Sequence, residues 1–177
     1  MNPGPHCATV SAVLIRREVS ADIDHIHAVH RAAFATAMEA DLVTALRADK
    51  GWLPALSLVA TIDDQVVGHV VCTRAHIDDA PALGLGPLGV LPTHQKQGVG
   101  GALMHAVLAA AEALNEPVVV LLGHTTYYPR FGFVPAADLG IEPPDPAWRE
   151  AFQARPLATY DASLRGTFQY CQPFNEL

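Results

Sequence analysis

Gln95-Lys96-Gln97-Gly98-Val99-Gly100-Gly101 is the stretch whose residue types and spacing most directly suggest chemistry. An apolar run, Leu85-Gly86-Pro87-Leu88-Gly89-Val90-Leu91-Pro92, leads into it, and an amphipathic helical pattern follows. The start of a helix leaves backbone N–H groups without carbonyl partners. Together with the positive end of the helix dipole they form an anion site. Glycines there let the backbone approach a phosphate closely. A Walker loop requires Lys-Ser or Lys-Thr after its last glycine, but Ala102-Leu103 follows here. A dinucleotide fold requires a Gly-x-Gly-x-x-Gly run straight after a strand and a later acidic residue, neither of which is in register. A tight turn without a ligand remains open on these residues alone.

The other chemically capable side chains are scattered. Nine histidines show no metal-ligand spacing, so no metal is expected. His25, His27 and His30 share one helical stretch, but His27 and His30 have no carboxylate or thiolate in register, and the three read as surface or core residues. Cys7, Cys72 and Cys171 lie far apart with no Cys-x-x-Cys, which suits a reducing cytoplasm. The formal net charge of -7 argues against a general nucleic-acid binder. No apolar run reaches membrane-spanning length, and residues 1–12 lack the order of a signal peptide. A cytoplasmic protein with neither nucleic acid nor membrane as partner is expected.

At 177 residues and 50% hydrophobic, the chain suits one domain over 13–177 behind a flexible tail at 1–12. Strands are expected over 13–17, 56–62, 65–73, 81–91, 118–122 and 166–174. The 56–62 and 65–73 strands form a hairpin at Asp63-Asp64. Helices are expected from an N-cap at Ser20 to Phe34, with Ile23, Ile26, His30 and Phe34 on one side, and over 37–47, burying Leu42 and Leu46. Val99, Leu103, Val107, Ala111 and Leu114 recur at helical spacing until Pro117. That helix links two apolar strands into a βαβ unit. A surface loop at Pro143-Pro144 precedes a short helix over 146–154.

Gln95-Lys96-Gln97-Gly98-Val99-Gly100 matches the Gln/Arg-x-x-Gly-x-Gly/Ala signature of the GNAT superfamily of acetyl-CoA-dependent N-acetyltransferases. Tyr127-Tyr128-Pro129-Arg130-Phe131-Gly132-Phe133 resembles that family's Tyr-x-x-x-Gly-Phe element, and the two motifs stand in the family's order and spacing. The resemblance runs from about Val13 to the C-terminus, and is to a small bacterial branch. It implies an α/β fold of α+β type: a mixed, largely antiparallel sheet flanked by helices, with the fourth and fifth strands splayed apart.

The resemblance also implies roles. Acetyl-CoA is the co-substrate, with Gln95, Lys96, Gln97, Gly98, Val99, Gly100 and Gly101 around its pyrophosphate. Leu88 N–H would polarise the thioester carbonyl, an aimed donor of the oxyanion kind. Val90 would hold the pantetheine arm, and Gly89 either permits a bulge or allows close packing. Tyr128, rather than its neighbour Tyr127, matches the general acid. A phenol has a pKa of about 10 and is protonated at neutral pH. Glu39, His69 and His124 are the candidates to accept the amine's proton, unless a water chain does so. Cys72 reads as a packed strand residue, so direct transfer is expected. The implied activity is acetyl transfer to a primary amine of a small molecule or peptide. A non-catalytic acyl-CoA-binding module on the same fold is the alternative. Two copies could pair through the final strand.

Overall fold

The computed structural model describes residues 12–176, so the expected tail and Cys7 lie outside the described residues apart from Ala12. The sheet grows from the apolar runs. β1 (Leu14–Arg17), β2 (Trp52–Ile62), β3 (Gln65–Ile77) and β4 (Ala80–Val90) pair antiparallel in succession. The β2–β3 hairpin turns at Asp63 and Asp64, both left-handed (φ 48° and 63°), a conformation Asp tolerates. β2 starts at Trp52 rather than Leu56. Pro54 falls where the register shifts between Trp52 and Ser57, and its missing N–H is tolerated there.

α3 (Val99–Ala113) carries the chain from β4 to β5 (Val118–Leu122), which lies parallel to β4. Beyond β5 the order runs to β8 (Phe152–Pro156) and β6 (Val134–Pro135). β9 (Gly166–Gln169) is bonded to the end of β3 and to β7 (Ile141–Glu142). The strand expected to serve a dimer is therefore already bonded within the chain. It also stops at Gln169, and residues Gln172–Glu176 form a 3-10 turn containing Pro173.

Residues 146–154 are not the expected helix. Pro146–Trp148 make one 3-10 turn, with the Asp145 carboxylate accepting from Ala147 N at 2.9 Å, and Phe152 opens β8. Phe152, Gln153 and Ala154 are buried against β5, and sheet pairing overrides the local helical pattern.

Successive residues of β3 point to opposite faces. Val70 meets the α3 side, where Leu103, Met104 and Val107 are fully buried. Val71 meets α2 (Met38–Ala48) through Leu42 and Leu46. α1 (Ile23–Ala33) covers the same face, packing Ile26 and Val29 on Val59 and Val66. Ser20 does not cap it. It opens a 3-10 turn capped at Val19, and α1 starts at Ile23, which stays exposed. Asp22 binds Arg16 and the Val19 amide instead.

A buried polar chain pins α1 to the sheet. Arg47 Nε donates to Glu18 Oε1 (2.8 Å), and Ser57 Oγ donates to Glu18 Oε2 (2.5 Å). Ser57 Oγ also lies 2.9 Å from His69 Nε2, and His69 Nδ1 lies 2.8 Å from His30 Nε2. The one hydroxyl hydrogen of Ser57 goes to the carboxylate. His69 Nε2–H must then donate to Ser57, and His30 Nε2–H to His69 Nδ1. His30 Nδ1 is left bare, and it has no hydrogen-bond partner.

Burial pushes His30 down to about 3, aided by His69 and Arg47, and burial also lowers His69 against the pull of Glu18. Burial opposes ionisation of Glu18, but His69, Arg47 and Ser57 hold it down at about 2. Both histidines are thus neutral when folded and protonate more readily when unfolded. Their contribution to stability is complete above about pH 6.5 and is lost as pH falls toward about 3. The urea midpoint is expected to be flat above about pH 7 and to drop between about pH 6.5 and 5, where the unfolding free energy loses up to about 1.4 kcal/mol per pH unit through His30. An unchanged midpoint over that interval would contradict the neutral, tautomer-locked pair.

Candidate active site

Among the described residues β4 and β5 pair only at Leu83↔Val119 and Gly84↔Val120. Beyond Gly84 β4 stays with β3, while β5 turns away with β8. Gly123 N donates to Ala151 O at 3.0 Å, and the Gln153 side chain donates to Gly123 O at 3.1 Å. The β3–β4 register slips where Val70↔Leu88 gives way to Cys72↔Leu85, so Gly86-Pro87 forms the irregularity. The bulge considered at Gly89 is therefore not there. Gly89 stays opposite His69, and a Cβ on it would stand 2.8 Å from His30 Nδ1. Its missing side chain serves close packing of α1.

The ladder also fixes which way the β4 backbone faces. Leu91 N donates to Val67 O at 2.9 Å. Antiparallel pairs alternate between bonded and non-bonded. Gly89 is then bonded across to His69, and Leu88 and Val90 turn their N–H and C=O groups away from β3, into the gap. Consistently, Val90 O accepts from Gln95 Nε2 at 3.0 Å.

At one end of the gap stands the glycine corner. Gly98, the N-cap of α3, is left-handed (φ 88°), a conformation that costs glycine nothing. Ala102 N donates to Gly98 O, so the amides of Val99, Gly100 and Gly101 precede the first intrahelical bond. Nothing stands within 4 Å of a Cβ built on Gly98 or Gly101, so a ligand can reach the backbone there. Arg130 lies over the Tyr127 ring at 4.8 Å, and the Tyr127 hydroxyl would meet a Cβ on Gly100 at 3.0 Å. Lys96, exposed, adds a second cation to the lining. The Gln97 side chain braces the turn by donating to Thr93 O, and the Val99 side chain is buried in the core.

The gap opens into a cleft of about 1580 Å³ that brings together the corner, Leu88, Val90, Glu39, His124, Tyr127 and Tyr128. Tyr128 begins a 3-10 turn and packs edge-on to Tyr127 (5.1 Å) and Phe133 (5.8 Å). Its ring covers Gly123, where any Cβ would collide with it. Burial pushes its hydroxyl up to about 12, with Tyr127 adding to the effect, so it holds its proton at neutral pH. Glu39 is half-buried in the first turn of α2, and its Oε2 accepts from Thr36 Oγ1 at 3.4 Å. His124 follows β5, and its carbonyl takes the amides of Tyr127 and Tyr128.

His69 does not reach the cleft, being wholly buried in the polar chain. His27 has a carboxylate partner after all, with Nε2 3.5 Å from Asp41 across the α1–α2 pair. Sequence reasoning missed Arg130, Trp148, Glu150, Tyr170 and Phe174, which line the same cleft. Arg130 lay inside the tyrosine motif and was legible as a cation there. The other four come from distant segments without local signals.

Among the described residues no cluster of His, Cys, Asp and Glu could hold a metal ion, and no helix is long and apolar enough to cross a membrane. Residues 54–135 match the family model described as acetyltransferase (GNAT) domain. The chain is 37% identical over 160 residues to the uncharacterized N-acetyltransferase YjhQ of Escherichia coli (strain K12), covering 86% of this chain and 88% of that protein. Its fold is similar to the GNAT family N-acetyltransferase YhbS from Escherichia coli in complex with CoA. The TM-score is 0.88 at 32% identity, covering 99% of this chain and 96% of that one. It is also similar to a GNAT family acetyltransferase from Brucella melitensis in complex with acetyl-CoA. There the TM-score is 0.77 at 33% identity, over 93% and 99% of the two chains. The split between β4 and β5, the glycine corner at the start of α3 and the identity to these relatives together make the chain an enzyme of the GNAT family of N-acetyltransferases.

Proposed function

We propose that this enzyme moves an acetyl group from acetyl-CoA directly to a primary amine of a small molecule or peptide, both bound at once in the cleft. One observation carries the reading: the backbone groups of Leu88 and the Val90 N–H, turned away from β3, face a gap bounded by the glycine corner and by Tyr128. The residues present fit the donor. The amides of Val99, Gly100 and Gly101, with Lys96 and Arg130 near them, suit a pyrophosphate. The β4 edge suits the amide-bearing pantetheine arm, which would bond at Val90 as an added strand does.

Leu88 N–H is positioned to polarise the thioester carbonyl. The amine nitrogen attacks the carbonyl carbon, the C–S bond breaks, the leaving sulfur takes the Tyr128 proton, and the proton shed by the nitrogen as the amide forms restores the phenol. The amine must first lose a proton, since an alkyl ammonium has a pKa of about 10. Glu39 and His124 face the cleft and are the groups able to receive it. Direct transfer agrees with Cys72, which is wholly buried on the α3 side with its thiol pushed up by burial. We assign the reaction to one domain over 13–177 acting in the cytoplasm.

Tyr128→Phe is expected to lower kcat about 100-fold or more while acetyl-CoA affinity by calorimetry stays as in the parent. Unchanged turnover would remove Tyr128 from the acid role. Gly100→Asp places a carboxylate beside the amide cradle and is expected to abolish acetyl-CoA binding. Retained affinity would move the pyrophosphate elsewhere.

A further inference from the structure

The two ends of the cleft differ in chemistry. Its Lys and Arg lining residues, Lys96 and Arg130, belong to the glycine corner and the tyrosine motif beside it. Its carboxylates, Glu39 and Glu150, belong to the other end. A chain of contacts locates that end. Tyr128 lies on Gly123, and the Tyr170 hydroxyl is turned to the Leu122 backbone. Tyr170 and Phe174 have ring centroids 4.5 Å apart, and Phe174 packs against the cluster of Leu42, Leu46 and Val71, in which Leu42 stands one turn along α2 from Glu39. From the β5 side, the Gly123 to Ala151 bond sets Glu150 and Trp148 beside the strand end. Glu39 and Glu150 thus arrive from the two sides of the split.

The surfaces between them are rings. Phe34, stacked on His30 at 5.8 Å, joins Trp148, Tyr170 and Phe174 in the lining. Rings and carboxylates favour a cation with an apolar body, by charge and by cation–π contact. They offer little to a chain of hydroxyls, and a long polycation would leave charges lying against rings that can match only one or two.

We propose that the acceptor is a compact amine on an aromatic or apolar body, an aralkylamine-type cation, and that Trp148, Phe174 and Glu39 select it. This rests on the acetyl-transfer reading above. The test compares 2-phenylethylamine, spermidine and kanamycin as acceptors. It follows thiol release from acetyl-CoA, and in parallel amine binding to the CoA-loaded protein by calorimetry, for the parent, Trp148→Ala and Glu39→Gln. Trp148 sits half-buried on a surface turn, and equal thermal midpoints would show that its replacement leaves the fold intact.

Phenylethylamine is expected to give the highest kcat/KM. Trp148→Ala should raise its KM about ten-fold, with the KM for acetyl-CoA unmoved. Preference for spermidine or kanamycin, or a Trp148→Ala enzyme with unchanged phenylethylamine KM, would overturn the proposal. Absence of thiol release with every amine, while phenylethylamine still binds the CoA-loaded parent and loses affinity in Trp148→Ala, would overturn acetyl transfer and support this acceptor assignment. Failure of phenylethylamine both to react and to bind would overturn the assignment itself.

Discussion

β4 keeps its ladder to β3 through Val90, but loses its ladder to β5 after Gly84. A strand edge released in the middle of a sheet presents N–H and C=O groups that must find partners or meet solvent. Closing the gap would pair them and leave no cleft. Two local features keep it open. Gly86-Pro87 shifts the β4 register, and β8 captures the end of β5 through Ala151 and Gln153. The glycine corner and Tyr128 then fall at the borders of the opening, because α3 starts where β4 ends and the Tyr128 turn starts where β5 ends.

The open edge is supported from behind. Gly89 is the residue of β4 bonded to His69, and its bare face receives the His30 ring. His30 in turn is held by His69, Ser57 and Glu18, with Arg47 closing the chain from α2. One ionised carboxylate therefore sets the tautomer of two histidines and the seating of α1 on β4. Buried polar groups arranged this way rigidify when fully paired and are costly when not. Within this run of described side chains the unpaired atom is His30 Nδ1, which lies where the helix meets the edge strand.

The parts of this arrangement that depend on short-range pattern were legible in the sequence. The glycine corner, the α3 period and the Tyr128 element each lie within a few residues; the strand-helix-strand pattern gave the βαβ unit, and the resemblance to the acetyltransferase family implied the split. Gly89 was ambiguous because a strand glycine signals either a bulge or a close approach, and its partner His30 comes from α1. β8 was hidden because Gln153 and Arg155 break its apolar run, while its pairing to β5 is a tertiary matter. The aromatic and acidic end of the cleft is assembled from Phe34, Trp148, Tyr170 and Phe174, which only the fold brings together.

The claim on which the account turns is that the gap-facing edge of β4 receives the donor. Amide chemical shifts and hydrogen exchange, recorded while acetyl-CoA is added, test it residue by residue. Leu88 and Val90 should shift and become protected together with Val99, Gly100 and Gly101, while Gly89, already bonded to His69, stays unchanged. Protection at Gly89 with none at Leu88 and Val90, or shifts confined to surfaces away from the cleft, would contradict it.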